Sequence, residues 1–175
     1  MRRARRATAV WASALLLAGC GLLDRKDPDR DCPRTGVISS ANRVVKFAGP
    51  GRDLTDILFE VEILDATGTC SYRRGQVTGD TTVQFLATAG PALRDRRGAV
   101  PYFVAIVDPA GGIAAKQEFS LTLTFEAGQP ALQLADELRQ TIPINTGGNL
   151  AGYQVLVGFQ LSADELTYNR SLIGR

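Results

Sequence analysis

The chain has 175 residues, with 20 Lys and Arg against 18 Asp and Glu, and it contains no histidine. The lack of histidine excludes Ser-His and Cys-His nucleophile pairs and removes the commonest general base and metal ligand. No Gly-Lys-Ser or Gly-Lys-Thr sequence occurs, so a Walker-type phosphate loop is excluded as well. We therefore expect no enzyme activity, no cofactor and no bound metal.

The first 19 residues have the pattern of a bacterial export signal. Four arginines precede an apolar stretch, Ala7–Leu17, which is shorter than the ~20 apolar residues that a membrane-spanning helix needs. The sequence Leu17-Ala18-Gly19-Cys20 resembles the lipobox at which bacterial lipoproteins are cleaved. We predict a lipoprotein signal peptide at 1–19 and lipidation of Cys20, whose acyl chains would anchor the protein stably. The alternatives are an ordinary secretory signal with a chance cysteine, and twin-arginine export.

Removal of this signal changes the charge of the protein. The four arginines leave with it, so 16 basic residues face 18 acidic ones and the net charge becomes −2. The basic excess thus belongs to the export signal, and we expect no nucleic-acid partner. Gly21, rather than Asp, follows the lipidated cysteine. By resemblance to Gram-negative lipoproteins, this favours the outer membrane, with the protein on its periplasmic side.

The remaining chain divides into a tether and a domain. Residues 20–31 are polar and charged with one proline, which is typical of a short lipidated tether. Residues 32–175 are enough for one domain with a sizeable core. Cys32 and Cys70 are the two cysteines left in an oxidising compartment, and we predict a disulfide between them. A reactive or metal-binding cysteine pair is the alternative.

Apolar and polar residues alternate along most of this domain, which indicates half-buried strands. The predicted strands are a weak first one at Val37–Phe47, then Ile57–Leu64, Val83–Thr88, Tyr102–Val107 as a central strand, Phe119–Phe125 and Tyr153–Leu161. Tight turns are predicted at Asp65–Gly68, Asp108–Gly112 and Thr146–Asn149. The fold class is therefore all-β, an antiparallel immunoglobulin-like or fibronectin-like β-sandwich of about seven strands.

Two short helices complete the prediction. Leu132–Leu138 has the composition of a turn or two of helix, although a strand at Glu137–Ile144 fits the residues equally well. Ser162 and Glu165 have the spacing of a capping box, which predicts a short C-terminal helix from Ala163 to about Asn169.

Three segments resemble those of a family of uncharacterised bacterial envelope lipoproteins. They are Gly51–Asp56, Tyr102–Pro109 and Gly158–Arg170. In that family a lipobox cysteine precedes a Cys-Pro pair and an all-β domain, and the resemblance covers Cys32 to Arg170. It implies no activity.

The resemblance directs attention to two polar sets that the strand pattern does not require. The first is Arg52, Asp53 and Asp56, and the second is Gln160, Asp164, Glu165, Tyr168, Asn169 and Arg170. We treat these residues as candidates for partner binding. The alternative is structural: an Arg-Asp pair that anchors a loop, and residues that cap and dock the C-terminal helix.

Three functions remain in view. The first is a non-enzymatic envelope interaction or assembly module that binds another envelope protein through an edge strand, or through the loops at Asp53 and Arg94–Arg97. The second is a carrier that holds a lipid or other small apolar ligand between its sheets, in a cavity lined by Phe85, Ile106, Leu123 and Val157. The third is an enzyme that uses the carboxylate pair Glu60 and Glu62.

Overall fold

A computed structural model describes residues 32–73, 76–142 and 150–173. The predicted signal peptide, the lipidation site Cys20 and the tether up to residue 31 lie outside the described residues, as does the turn predicted at Thr146–Asn149. The strands are β1 (Arg34–Val37), β2 (Arg43–Phe47), β3 (Ile57–Arg73), β4 (Gln76–Ala89), β5 (Arg97–Val107), β6 (Ile113–Thr124), β7 (Ala131–Ile142) and β8 (Gln154–Phe159). A C-terminal helix, α1, spans Ala163–Ile173, and short 3₁₀ turns occupy Ser39–Ala41 and Leu54–Asp56.

The strands form two four-stranded sheets that pack against each other. One sheet has the order β1-β8-β5-β6 and the other has the order β2-β3-β4-β7. All neighbouring strands are antiparallel except β1 and β8, which run parallel. The prediction of an all-β sandwich with a short C-terminal helix is confirmed. β5 lies between β8 and β6, as expected for a central strand.

The inward residues of both sheets form two apolar clusters. The larger cluster includes Phe85, Leu123 and Val157, and the smaller one includes Ile106. These are the four positions that we expected to line a ligand cavity, and all four are buried among other core side chains. The residues between the sheets are thus packed as a core, with the rings of Phe85 and Tyr102 edge to face at 5.2 Å between centroids.

The turn predicted at Asp65–Gly68 is wrong. These four residues continue β3 and pair with Gln84 to Thr81 of β4. The strand does not reverse at this point but shifts register between Ile63 and Asp65, with Leu64 exposed at the irregularity. Continuous pairing with β4 outweighs the local turn preference of these residues. Cys70 therefore lies within a strand, opposite Gly79, and not just after a turn.

The first predicted strand, Val37–Phe47, is two strands in different sheets. Val37 of β1 pairs with Val157 of β8, whereas Val44 of β2 pairs with Val61 of β3. The 3₁₀ turn at Ser39–Ala41 joins them and moves the chain from one sheet to the other. This division is one reason that the sandwich has eight strands rather than about seven.

The helix predicted at Leu132–Leu138 is also wrong, because these residues belong to β7. They pair with β4 from Ala87 to Thr81. The alternative of a strand, proposed to begin at Glu137, was nearer the structure, but the strand begins earlier, at Ala131. The even-numbered residues from Leu132 to Leu138 are less exposed than the odd-numbered ones, as expected for a strand with one covered face.

Two local predictions are confirmed by their hydrogen bonds. The Asp108 carboxylate accepts hydrogen bonds from the backbone N–H groups of Ala110 and Gly112 in the β5–β6 turn. At the start of α1, the Ser162 N–H donates to the Glu165 carboxylate at 2.8 Å, and the Glu165 N–H donates to the Ser162 hydroxyl at 3.3 Å. The helix itself continues to Ile173, one turn beyond the predicted end.

The predicted disulfide between Cys32 and Cys70 is present, with the two Cα atoms 5.6 Å apart. It joins the first described residue of the chain to the C-terminal part of the long strand β3. The predicted tether, which ends at residue 31, would therefore lead directly into the disulfide at Cys32.

Candidate binding groove between α1 and β2

A groove of about 200 Å³ lies between α1, the strand β2 and the loop that follows β2. We call it the α1 groove. It is lined by Val45, Lys46, Phe47, Gly49, Arg52, Ser162, Asp164, Glu165, Tyr168 and Asn169. Its lining residues come from two parts of the chain that are more than one hundred residues apart. Lys46 and Glu165, for example, are in direct contact across it.

Asn169 holds α1 against the edge of the second sheet. Its side chain is only 5% exposed, and its amide nitrogen donates to the backbone carbonyl oxygens of Arg43 at 2.6 Å and Ser40 at 3.2 Å. Arg43 begins β2, which is an outer strand of its sheet. The helix thus covers part of a sheet edge, and Asn169 supplies the hydrogen bonds that fix it there.

An ion pair crosses the groove next to this contact. The Lys46 ammonium lies 2.6 Å from the Glu165 carboxylate, and both side chains are partly buried. Burial by itself would raise the pKa of Glu165, but the hydrogen bonds from Lys46 and Ser162, together with the Lys46 charge, outweigh it. The net effect is a pKa below the ordinary value, so Glu165 is a carboxylate at neutral pH.

Aromatic rings form the other side of the groove. The rings of Phe47 and Tyr168 meet edge to face, with their centroids 5.9 Å apart. The guanidinium of Arg52 lies over the Phe47 ring at 4.9 Å from its centroid, and it also donates to the carbonyl oxygen of Gly51 at 2.9 Å. Arg52 is exposed, so its positive charge is held in a defined place and still faces solvent.

The structure brings together five of the nine candidate interaction residues. Arg52 comes from the first polar set, and the second set contributes Asp164, Glu165, Tyr168 and Asn169. Parts of two sets that are separate in the sequence thus lie in one site. Within it Asn169 and Glu165 have the structural roles that we considered as the alternative, whereas Arg52 and Asp164 are exposed.

The other four candidates lie elsewhere. Asp53 and Asp56 cap the 3₁₀ turn at Leu54–Asp56 reciprocally, and the Asp53 N–H donates to the Asp56 carboxylate at 3.3 Å. Gln160 directly follows β8 and accepts a hydrogen bond at 2.8 Å from Lys116 on β6 of the same sheet. Arg170 is exposed on α1 and does not line the groove.

Sequence reasoning missed Lys46 and Phe47. Both lie in the segment that the alternation marked as a weak first strand, and nothing in their local pattern indicates a contact with the C-terminal helix. One signal in the sequence could have identified them. Lys46 and Phe47 end a strand and are followed by the glycine-rich loop that contains Arg52, so cationic and aromatic side chains come close together at one edge.

The remaining candidate features lie outside the α1 groove. Glu60 is paired with Arg43 at 2.6 Å on the outer face of the second sheet, as expected of a solvent-facing residue. Arg94–Arg97 form an exposed loop in which the backbone carbonyl of Arg96 accepts from the Phe125 N–H. In the part of the chain that the structure describes, no three His, Cys, Asp or Glu residues are grouped so that they could hold a metal ion.

The chain matches no protein-family model, no curated protein and no solved structure. Among residues 32–73, 76–142 and 150–173, no helix has the length and apolar character needed to cross a membrane.

Proposed function

We propose that the protein is a lipid-anchored lipoprotein of the bacterial cell envelope that acts, without catalysis, by binding another envelope protein through the α1 groove. The sequence Leu17-Ala18-Gly19-Cys20 and the polar segment that follows it support the anchor and the tether. Gly21 favours the outer membrane, with the β-sandwich on the periplasmic side. The main support for partner binding is that Arg52 of the first polar set meets four residues of the second set in one groove.

The groove has the properties of a surface for recognising a polypeptide. It presents the exposed charges of Arg52 and Asp164 beside the aromatic rings of Phe47 and Tyr168. Arginine and aromatic side chains contribute most to binding at protein interfaces, and charges of both signs orient a partner. The Lys46–Glu165 pair and Asn169 hold the two walls in position, so the surface is formed before a partner arrives.

The proposal is tested by photo-cross-linking in living cells. A photoreactive amino acid replaces Asp164 in the groove, and in a control strain it replaces Thr122, which is exposed on β6. We expect one discrete adduct with an envelope protein from position 164 and none from position 122. Absence of an adduct at position 164 would refute the use of this groove.

Two charge reversals then test the chemistry of binding. Arg52→Glu should abolish the adduct, because it reverses the exposed charge that lies over Phe47. The matched control Arg94→Glu makes the same change in an exposed loop and should leave the adduct intact. Equal adducts in both variants would contradict the proposal. A Cys20→Ser variant tests the anchor separately, since it should release the protein from membranes without altering the fold.

A further inference from the structure

The loop that joins β2 to β3, residues 48–56, forms one end of the α1 groove and continues beyond it. We call it the Arg52 loop. Gly49 and Arg52 line the groove, and the other residues of the loop lie outside it. The groove measures only about 200 Å³, whereas a stable protein interface buries roughly 800 Å² on each partner. A protein that binds in the groove therefore also covers surface next to it.

Hydrogen bonds hold the Arg52 loop in a defined shape. At its base the Ala48 N–H donates to the Asp56 carbonyl oxygen at 2.8 Å. Within the loop, Asp53 and Asp56 each accept a hydrogen bond from the other's backbone N–H. Gly51 lies so close to Asp56 that a Cβ atom would overlap the carboxylate, so a larger residue would force the loop to move. A loop whose shape is set before binding loses less conformational entropy when a partner arrives.

Arg52 presents one edge of its guanidinium to solvent. Its two hydrogen bonds, to the carbonyl oxygens of Pro50 and Gly51, are both donated by Nη1. Within the part of the chain that the structure describes, Nε and Nη2 have no hydrogen-bond partner and Arg52 forms no ion pair, since the neighbouring Asp53 carboxylate caps the 3₁₀ turn instead. Two parallel N–H donors on one edge match the two oxygens of a carboxylate. Arg52 is therefore suited to bind a carboxylate from outside.

Leu54 is the apolar feature of the same loop. Its exposed fraction is 80%, against 67% for Ile113 and 48% for Leu64, the other large apolar side chains that are exposed among the described residues. A single exposed leucine is common on protein surfaces, but this one lies in a fixed loop, two residues after an unpaired arginine. At 3.3–3.6 Å per residue, the Cα atoms of Arg52 and Leu54 are at most about 7 Å apart. A protein that pairs with Arg52 therefore also reaches Leu54.

We propose that the partner of the α1 groove also covers the Arg52 loop, where it binds Arg52 through a carboxylate and receives Leu54 in an apolar pocket. The inference rests on the proposed function, because it describes the partner of the same groove. The partner is thus a protein surface on which Asp or Glu borders an apolar depression. Transfer of the Leu54 side chain from water into that depression supplies binding energy that the charged groups of the groove do not.

The first test is photo-cross-linking from Leu54 itself. In living cells an aliphatic photoreactive analogue of leucine replaces Leu54 in the full chain, and in a control strain it replaces Leu64, which is exposed on β3. We expect position 54 to attach to the same protein as position 164, and position 64 to give no adduct. Sequencing of the attached peptide by mass spectrometry should find apolar residues next to Asp or Glu.

The second test removes the apolar side chain. Leu54→Ser should lower the yield of the position-164 adduct about tenfold or more, whereas Leu54→Met, which keeps an apolar side chain, should retain it. The matched control Leu64→Ser makes the same change at an exposed position of β3 and should leave the yield unchanged. Because Leu54 is so exposed, Leu54→Ser should have the melting temperature of the wild type.

The outcomes separate this inference from the proposed function. If position 164 gives its adduct but Leu54→Ser does not reduce the yield, the inference is overturned and the proposed use of the α1 groove stands. The same holds if position 54 attaches to no protein or to a different one, or if the attached peptide has no acidic residue. Absence of an adduct at position 164 refutes the proposed function and this inference with it.

Discussion

Replacing Tyr102 by Phe would remove a single hydroxyl group that joins the two sheets. Tyr102 lies on β5, is fully buried, and donates a hydrogen bond of 2.5 Å to the Asp136 carboxylate on β7. The rest of its environment does not depend on the hydroxyl. Its ring meets Phe85 edge to face and stacks with Phe119 at 5.3 Å between centroids. The variant keeps these contacts, so it isolates one bond between the sheets.

The expected cost follows from the charge and burial of the acceptor. A hydrogen bond to a charged group contributes about 1.5–3 kcal/mol to stability. Asp136 is only partly buried, so water can replace some of the lost interaction and the lower part of this range applies. We expect Tyr102→Phe to reduce the free energy of unfolding by about 1.5–2 kcal/mol. For a domain of this size the melting temperature should fall by about 3–8 °C.

The same contact predicts a dependence on pH. Burial raises the pKa of Tyr102 well above its ordinary value of 10.0, and the hydrogen bond to Asp136 and its negative charge raise it further. Because the unfolded chain releases this proton at a lower pH than the folded protein does, the contribution of Tyr102 is complete below pH 10 and declines above it. The wild-type protein should lose this part of its stability in alkali, and the Phe variant should have no such component.

Denaturant unfolding followed by circular dichroism measures the effect. A double-mutant cycle with Tyr102→Phe, Asp136→Asn and the combined variant gives the coupling free energy between the two side chains. We expect a coupling above ~1 kcal/mol. Additive effects, or a Tyr102→Phe variant as stable as the wild type, would refute the reasoning.

Three further predictions concern the helix and the disulfide. Asn169→Ala should accelerate hydrogen exchange in α1 but not in the sandwich. The helix loses both of the hydrogen bonds that the Asn169 side chain donates to backbone carbonyls, at a cost of about 1–3 kcal/mol. Equal exchange rates in α1 of the wild type and the variant would contradict this. Cys70→Ser should destabilise the fold by about 4 kcal/mol, because the bridge to Cys32 closes a loop with a sequence separation of 38. An unchanged melting temperature would show that the disulfide does not stabilise the fold. Glu165 has a pKa below its ordinary 4.5, so its contribution to stability is present above pH 4.5 and is lost as the pH falls through the lowered pKa. Lys46→Met should raise this pKa in a carboxyl titration by nuclear magnetic resonance, and no change would show that the ion pair has no such effect.

The sequence predicted the fold well where one face of a strand is buried and the other is not. In β6, Leu121 and Leu123 are buried while Thr122 and Thr124 are exposed, and the alternation alone identifies the strand. The capping box at Ser162 is similarly local, since its two hydrogen bonds join residues three positions apart. Such features depend on neighbours in the sequence and can be recognised there.

Two of the errors, the turn at Asp65–Gly68 and the helix at Leu132–Leu138, have a common physical cause, which is the long strand β4. It pairs along its length with β3 on one side and β7 on the other. Asp65–Gly68 would form a turn in isolation, and Leu132–Leu138 would form a helix, but both are held extended by this one neighbour. Local preferences of this size are weaker than a continuous ladder of backbone hydrogen bonds.

The candidate site was predictable only in part for a related reason. The resemblance pointed to Arg52 and to residues of α1, but it offered no relation between them. Their meeting depends on α1 docking on β2, and the contacts that achieve it, from Asn169 to Arg43 and from Lys46 to Glu165, join residues more than one hundred positions apart. Contacts between residues so far apart cannot be recognised in a single sequence.

The disulfide determines how the sandwich responds to mechanical load. The proposed lipid anchor and bound partner would pull on the protein in opposite directions, and tension from the proposed tether would enter at Cys32. The bridge would pass that tension directly to Cys70 in the interior strand β3. The intervening chain, which includes β1, β2 and the loop bearing Arg52, is closed in a covalent loop and cannot be drawn out. At about 3.3–3.6 Å per residue, a sequence separation of 38 would otherwise yield roughly 130 Å of extension. If the protein is anchored and binds a partner as we propose, the disulfide would keep one wall of the α1 groove in shape under tension.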